Sequence, residues 1–192
     1  FAVVLLYVIF KNNKIKEALV IIALLGLVIA LADQISSGIC KPFFARFRPT
    51  QDPELMYQID IVNGYRGGTY GFISSHAANT FGVAVFLTLI FKSGSLAIIL
   101  FIWAILNAFS RIYLGVHYPG DILFGTLVGV GAGILIYIIY RKLQNTVLKQ
   151  ANFISNQYTS SGYLISDIRL IKTVFYLTLF YVIVRGMMIT LY

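Results

Sequence analysis

Residues Glu17–Gly38 read EALVIIALLGLVIALADQISSG, and Asp33 is the only ionisable residue after the first position of this run. A helix needs about 20 predominantly apolar residues to cross the hydrocarbon core of a membrane. The run has that length, and Asp33 lies within two helical turns of its end, where a carboxylate can reach water or a partner. This stretch therefore predicts a chain built on membrane-spanning helices.

The composition of the whole chain supports the same interpretation. Of its 192 residues, 59% are hydrophobic and only 11% are charged, whereas a soluble domain carries about 25% charged residues. Phe1 lies inside an apolar run with no basic segment before it, so we expect the natural start to be missing and do not interpret the run as a signal peptide. Cys40 is the only cysteine, which excludes an internal disulfide and a cysteine-built metal site.

Apolar stretches separated by polar turns predict an all-α, polytopic transmembrane helix bundle of about six spans. We place the core of the protein at residues 1–141, a polar cytoplasmic connector at 142–168 and an additional C-terminal transmembrane helix at 169–192. The predicted spans are Phe1–Phe10, taken as the remnant of a longer helix, Glu17–Gly38, His76–Phe91, Ser95–Tyr113, Asp121–Tyr140 and Leu170–Leu191.

The basic residues divide between the two predicted membrane faces. The net charge of +8 could indicate nucleic acid as a partner, but most of the charge lies at span ends that face one way, which by the positive-inside rule is the cytoplasm. We therefore expect the protein to interact with the lipid bilayer and not with nucleic acid. The opposite, outer face carries basic residues that suit an anion, namely Lys41, Arg46, Arg48, Arg66 and Arg111.

Two expectations concern helix packing. Gly125, Gly129 and Gly133 recur at four-residue spacing, which is typical of helices that approach closely in lipid. Arg185 in the last predicted span lies at a depth similar to that of Asp33, so we predict that the two side chains pair.

The stretch Ser110–Asp121 reads SRIYLGVHYPGD and holds ionisable residues between two apolar spans. Such residues are costly in a membrane and are functional-site candidates. A carboxylate that accepts one ring N–H of a histidine fixes the tautomer and leaves the other nitrogen free to attack phosphorus. We predict that His117 is the nucleophile, that Asp121 orients it and that Arg111 binds an anion.

A second candidate segment opens the span after the long loop of residues 41–70. Ser74 is a suitable N-cap, and the N–H groups of a helix start attract phosphate. His76 lies in the first turn of that helix, where it could protonate a leaving oxygen. The alternation of spans brings this segment to the same outer face as Lys41, Arg48 and the 110–121 stretch, so the residue types suit phosphoryl transfer without a metal ion.

Three ordered segments resemble the signatures of the type 2 phosphatidic acid phosphatase (PAP2) superfamily. Residues 41–49 (KPFFARFRP) match the first signature, a lysine separated from Arg-Pro by six residues, and residues 110–121 match the third at every fixed position. The second signature is usually Pro-Ser-Gly-His, and this chain has Ile73-Ser74-Ser75-His76 instead. The Cβ of Ser75 can change how a phosphate lies against its N–H.

The resemblance implies a membrane phosphatase with a phosphohistidine on His117, Asp121 as its partner, His76 as the acid, and neither metal nor cofactor. It implies phosphate binding by Lys41, Arg48, Ser74, Ser75 and Arg111. The substrates usual for such enzymes are undecaprenyl diphosphate, phosphatidylglycerophosphate, phosphatidic acid and lipid A phosphates, at the outer face of a bacterial inner membrane. We lean to a polyprenyl diphosphate or a related lipid phosphate.

Other interpretations stay open at this point. The loop residues Arg46, Tyr65 and Arg66 are candidates for contacts to the substrate headgroup, and solvated loop charges are the simpler alternative. A transporter that guides an anion along the basic face, or a haloperoxidase-like use of the same anion pocket, would share these residues. The discrete motifs and the lack of an inverted repeat count against a transporter.

Overall fold

The computed structural model describes residues 1–147 and 157–190, and these are helical for most of their length. Their longer elements are α-helices, in agreement with the predicted all-α class, and the only strand-like pairing in the described ranges is two isolated bridges. The helices are α1 (Ala2–Asn12), α2 (Ile15–Asp33), α3 (Lys41–Phe44), α4 (Ser75–Phe91), α5 (Gly94–Tyr113), α6 (Pro119–Val147) and α7 (Ile165–Thr190).

Four helical segments of the described chain are long and apolar enough to cross a membrane: Ile15–Phe44, Gly94–Tyr113, Pro119–Gln144 and Ile165–Met188. Two further predicted spans correspond to α1 and α4, which are apolar but shorter. A membrane helix bundle is therefore the architecture. About six spans were predicted. The described residues contain six apolar helical segments, and four of them are long enough to cross a membrane.

Helix α4 is the centre of the bundle, with α2, α5 and α6 packed around it. A helix surrounded by others needs small residues where backbones approach, and α4 provides Ala77, Ala78, Gly82 and Ala84 over its first half, all buried. Its other end carries larger side chains, including the fully buried Phe86. The helix that begins at Ser75 is thus fixed on several sides.

The predicted small-residue stripe on α6 is confirmed as the contact with α4. A Cβ added to Gly125 would lie 2.5 Å from the backbone oxygen of Ser74, and one added to Gly129 would lie 2.2 Å from that of Ala78. A Cβ on Gly133 would meet the oxygen of Gly82 at 2.7 Å. Because no side chain separates the two backbones, the first turns of α4 and α6 lie side by side.

The second predicted span does not end at Gly38. A π-helical segment, Gln34–Cys40, continues α2 directly into α3, so Lys41 lies on a helix and not in the loop as expected. The Lys41 ammonium donates to the hydroxyl of Ser37 at 3.0 Å, one turn before it. Single π-helical turns are frequent at functional sites, where they turn the helix face presented to neighbours.

The predicted pair between Asp33 and Arg185 is wrong. The ion pairs of the described residues do not include it, and Ser37 donates its hydroxyl to the Asp33 carboxylate at 3.2 Å. Helix α7 packs against α1 and α5, whereas Asp33 belongs to α2, and Arg185 is exposed. Equal depth in the membrane did not bring the two helix faces together.

A polar junction joins the end of α1 to the beginning of α7. Lys11 forms an ion pair with the buried Asp167 at 2.7 Å, and the amide of Asn12 donates to the other carboxylate oxygen at 2.8 Å. Asn12 also accepts the backbone N–H of Leu164 at 3.0 Å, and Asn13 donates to the hydroxyl of Tyr163 at 2.9 Å.

The helix ends around the predicted connector differ from the expected ones. Helix α6 runs to Val147, beyond the predicted boundary at residue 141, and α7 begins at Ile165, before the predicted residue 169. Residues 148–156 of the connector lie outside the described residues. The turn before α7 is attached to the bundle by the hydroxyl of Ser161, which donates to the backbone oxygen of Phe91 at 3.0 Å. The cytoplasmic placement of this connector stays a prediction.

Candidate active site

His117 and Asp121 form a buried pair at the start of α6. Nδ1 of His117 lies 3.2 Å from one carboxylate oxygen of Asp121, Oδ2, and the exposed fractions of the two residues are 2% and 0%. The same oxygen accepts the backbone N–H of Tyr118 at 2.9 Å. Asp121 belongs to the first turn of a helix that opens with Pro119, where the positive end of the helix dipole stabilises a carboxylate.

The surroundings of His117 favour its neutral form. Burial lowers the pKa of His117 below its ordinary value, because a charged imidazolium loses hydration there, and the positive charge of Arg48 acts in the same direction. The hydrogen bond to Asp121 raises this pKa but does not reverse the net shift. A neutral imidazole whose Nδ1–H is donated to a carboxylate presents an unprotonated Nε2, which is the form that can act as a nucleophile.

The second oxygen of Asp121 pairs with Arg46, a loop residue. The guanidinium carbon of Arg46 lies 4.9 Å from the ring centroid of Phe72 and 4.9 Å from that of Tyr118. Arg46 was predicted to contact a substrate headgroup, and that contact stays a prediction.

The beginning of α4 is tied to the beginning of α6. Ser74 is the N-cap of α4 and is fully buried, and its hydroxyl oxygen accepts the N–H of Ala77 at 3.4 Å. Its own N–H donates to the backbone oxygen of Asp121 at 3.0 Å. His76 follows in the first turn, exposed, and close enough to Arg111 and His117 for their charges to act on it. The structure thus brings both histidines into one site.

Three cations that were predicted to bind phosphate lie near the two histidines. The hydrogen bonds that they donate within the described part of the protein leave some of their N–H groups without an acceptor. Lys41 donates to the hydroxyl of Ser75 at 3.0 Å, which links α3 to the first turn of α4. Arg48 donates through Nε to the backbone oxygen of Tyr70 at 3.1 Å. Arg111 directs Nε and Nη2 to the hydroxyl of Ser110 at 3.1 and 3.0 Å. All of these acceptors are neutral.

A cavity of about 440 Å³ adjoins these cations. Two of the predicted phosphate ligands, Lys41 and Arg48, line it. The rest of the lining comes from the helix end and from the loop just before α4, namely Ser37, Pro42, Gly68, Thr69 and Tyr70. An anionic group with attached polar substituents has room beside Lys41 and Arg48.

Close approaches in this loop are made possible by glycine. Gly67 has φ +68°, and a Cβ there would lie 2.7 Å from Nη1 of Arg48. A Cβ on Gly71 would meet Cγ of Arg48 at 3.1 Å and a carboxylate oxygen of Asp121 at 3.3 Å. The glycines of this loop therefore make space for side chains of the site.

The two other predicted headgroup residues lie in the loop. Nη1 of Arg66 donates to the backbone oxygen of Thr50 at 3.0 Å, and the Thr50 hydroxyl donates back to the oxygen of Arg66 at 2.8 Å. This reciprocal pair holds two parts of the loop together. Tyr65 is exposed. Headgroup contacts by Tyr65 and Arg66 stay predictions.

Some residues that shape the site were missed from the sequence. Ser37 accepts from Lys41 and is spaced four residues before it, a spacing that would have revealed the contact had the helix been extended past Gly38. The rings of Phe72 and Tyr118 around Arg46 had no such signal, because they come from separate segments. In the ranges described, no three His, Cys, Asp or Glu side chains group as metal ligands would.

The described residues form a helical membrane bundle that holds a buried His–Asp pair beside a helix start and several cations. The model of the PAP2 superfamily matches residues 19–145, which is more than half of the chain. The chain belongs to the PAP2 superfamily, as the signature segments predicted.

Two curated relatives are both named lipid A 4'-phosphatase. The protein of Bacteroides thetaiotaomicron is 43% identical over 143 residues, which cover 72% of this chain and 62% of the relative. That of Porphyromonas gingivalis is 40% identical over 139 residues, covering 72% of this chain and 59% of the relative. The chain thus spans about three fifths of the length of these relatives. No solved structure gives a significant match.

Proposed function

We propose that the protein is a membrane lipid phosphatase that removes a phosphate group from lipid A or a related lipid phosphate through a phosphohistidine on His117, without a metal ion. The observation that carries this proposal is the buried pair of His117 and Asp121, whose 3.2 Å contact leaves Nε2 as the free nitrogen. Membership of the superfamily and the printed names of the two relatives support the class of substrate.

In the first step, Nε2 of neutral His117 attacks phosphorus in line with the ester oxygen. The N–P bond forms as the P–O bond breaks, and the imidazole ring gains positive charge. Asp121 accepts the Nδ1–H throughout and stabilises that charge. His76, exposed in the first turn of α4, gives a proton to the leaving alkoxide.

In the second step, water replaces the histidine on phosphorus. His76, now neutral, takes one proton from the water as its oxygen bonds to phosphorus. The N–P bond breaks and returns its electron pair to Nε2, so His117 is again neutral with its proton on Nδ1. Inorganic phosphate then leaves, and the site has regained its starting protonation state.

Binding of the phosphate uses the cations that have neutral partners. Lys41 supplies a compact charge, whereas Arg48 and Arg111 supply forked donors that match two phosphate oxygens. The hydrogen bond from Lys41 to Ser75 fixes this charge beside the helix start. The buried N-cap Ser74 holds the first N–H groups of α4 in place, and the dipole of that helix adds attraction for the anion.

The substrate proposal changes from the one that the sequence favoured. From the sequence we leaned to a polyprenyl diphosphate or a related lipid phosphate. The relatives' names favour a phosphate on lipid A, and the cavity of about 440 Å³ beside Lys41 and Arg48 has space for a sugar next to the phosphate. We place the site at the outer face of the inner membrane, because the basic residues at the opposite helix ends suit the cytoplasm.

The test is phosphate release by the purified chain in detergent from lipid A, undecaprenyl diphosphate, phosphatidylglycerophosphate and phosphatidic acid, with and without a chelator. We expect lipid A to be the preferred substrate and the chelator to have no effect. His117→Asn keeps a similar side-chain shape and should abolish release. Release that survives in His117→Asn, or that requires a divalent ion, would overturn the mechanism, and preference for another lipid would overturn the substrate.

A further inference from the structure

We infer that Arg46 is a positioning residue that holds Asp121 in place behind His117, and that it does not bind the substrate headgroup. Arg46 lies in the first signature segment, between Lys41 and Arg48, but at a position that the signature leaves variable. The inference rests on the proposed function in one respect, since it takes His117 as the nucleophile.

The carboxylate of Asp121 is completely buried, so each of its oxygens needs a partner. Oδ2 faces Nδ1 of His117 and accepts the backbone N–H of Tyr118. Oδ1 pairs with Arg46. Without Arg46 that oxygen would lose its ion-pair partner in a buried site, and the carboxylate could rotate away from the histidine.

Aromatic rings fix the direction in which Arg46 points. Its guanidinium carbon lies 4.9 Å from the ring centroids of both Phe72 and Tyr118. Phe72 in turn packs against Phe44 and Phe124, at centroid distances of 4.6 and 5.5 Å. An arginine held over two rings loses both cation–π contacts if it swings toward a ligand. Its backbone is also fixed, because Gly71 donates its N–H to the oxygen of Arg46 at 2.9 Å.

The other two arginines of the site provide the contrast. Arg48 donates to a backbone carbonyl and Arg111 to a serine hydroxyl, so both keep a full positive charge for an anion. The charge of Arg46 is balanced by a carboxylate. Two arginines are therefore available for phosphate, and the third serves the carboxylate that orients the nucleophile.

The balance of charge has a consequence for His117. Without Arg46, a carboxylate that stayed in place would raise the pKa of His117 by its uncompensated charge, whereas one that turned away would lower this pKa by loss of the hydrogen bond. The other charges near His117 are those of Arg48, Lys41 and His76. None of these changes when Arg46 is replaced, so a shift in the titration of His117 reports on Arg46 and its carboxylate.

The experiment compares Arg46→Met, Arg46→Lys and wild type on two substrates, lipid A and p-nitrophenyl phosphate, which has no lipid headgroup. Lys16→Gln removes an exposed charge at the start of α2 and serves as the control. For Arg46→Met we expect kcat to fall by about 100-fold on both substrates with KM nearly unchanged, as for a misplaced catalytic group. Arg46→Lys keeps the charge and should lose less.

A nitrogen-15 NMR titration of the histidine rings gives a readout that a purely structural role would not move. The chain has two histidines, and His117→Asn assigns their signals. In Arg46→Met the carboxylate turns away from the ring, so we expect the His117 signal to titrate at lower pH and to lose its preference for the Nδ1–H tautomer. Lys16→Gln should leave both signals unchanged.

Each outcome decides between the alternatives. A KM increase confined to lipid A, with an unchanged His117 titration, would overturn the inference and return Arg46 to the headgroup. If wild type releases phosphate from neither substrate, the proposed function fails, and the NMR titration still decides whether Arg46 holds the His–Asp pair. If Arg46→Met does not fold, the comparison of Arg46→Lys with wild type carries the test.

Discussion

The backbone N–H of Ser74 donates to the backbone oxygen of Asp121 over 3.0 Å. This bond joins the N-cap of α4 to the first turn of α6, although the two residues lie far apart in the chain. The helix start that we expect to bind phosphate is thereby set directly against the carboxylate that orients the nucleophile. The geometry of the site consequently depends on how closely α4 and α6 pack over the rest of their length.

Gly129→Ala should disturb the geometry of the site, although Gly129 does not belong to the site itself. The new Cβ would lie 2.2 Å from the backbone oxygen of Ala78, so the helices must separate. Overpacking of this kind costs about 1–3 kcal/mol. We expect a lower midpoint of thermal unfolding in detergent together with a lower kcat. Gly131→Ala, on the same helix with nothing within 4 Å of the added Cβ, is the control and should change neither. Equal behaviour of the two variants would contradict the close-packing role.

Gly67→Ala should weaken substrate binding. Gly67 has φ +68°, and an added Cβ would meet Nη1 of Arg48 at 2.7 Å and displace it from the cavity. Gly64→Ala is a matched control, since Gly64 has φ +71° but nothing within 4 Å. Both variants carry a backbone penalty of about 1–2 kcal/mol for the left-handed region. Only Gly67→Ala should raise KM for a phosphate substrate in steady-state assays, and a similar rise in Gly64→Ala would count against the contact with Arg48.

The pH dependence of the rate should show a nucleophile that stays neutral in mild acid. Burial lowers the pKa of His117 from its ordinary value of 6.5, so the reactive form is lost only when pH falls through that lowered pKa. We expect kcat/KM to decline on the acid side below pH 6.5. Asp121→Asn removes the hydrogen bond that raises this pKa, so the decline should move to still lower pH while kcat falls about 10²- to 10⁴-fold. A decline centred above 6.5 would be inconsistent with the buried site.

Loss of His76 should affect substrates unequally. A good leaving group such as p-nitrophenolate departs without a proton, whereas a sugar or lipid alkoxide needs one. We expect His76→Ala to lower the kcat for lipid A about 10²-fold or more and the kcat for p-nitrophenyl phosphate much less. The assay is single-turnover phosphate release on both substrates. Equal losses would show that His76 acts in some way other than as an acid.

Much of the fold and of the site followed from local sequence. Apolar runs of membrane-spanning length predicted the helices, and the spacing of Gly125, Gly129 and Gly133 predicted a close contact that the structure shows between α6 and α4. The four-residue spacing of His117 and Asp121 at a helix start was sufficient to predict that they meet. These features depend on residues near one another in the chain.

The features that the sequence did not predict depend on how each helix is rotated about its axis and on contacts between segments that lie far apart in the chain. The depth of Asp33 and Arg185 could be counted from the sequence, but the direction in which each helix faces is set by its neighbours, and α7 packs on α1 and α5. The π-helical continuation of α2 beyond Gly38 has no simple sequence signal, because it differs from an α-helix by one residue in a turn. The partner of Arg46 is the carboxylate of Asp121, which lies 75 positions later in the chain.

The junction between Lys11, Asn12 and Asp167 has a consequence for biosynthesis. Its two sides are separated by 156 positions, and both α1 and α7 lie outside the residues that the family model matches. Because a chain is synthesised from its N-terminal side, α1 is made before α7. The ion pair of Lys11 with Asp167 can therefore form only after the beginning of α7 has been synthesised, and α1 is without this contact until then.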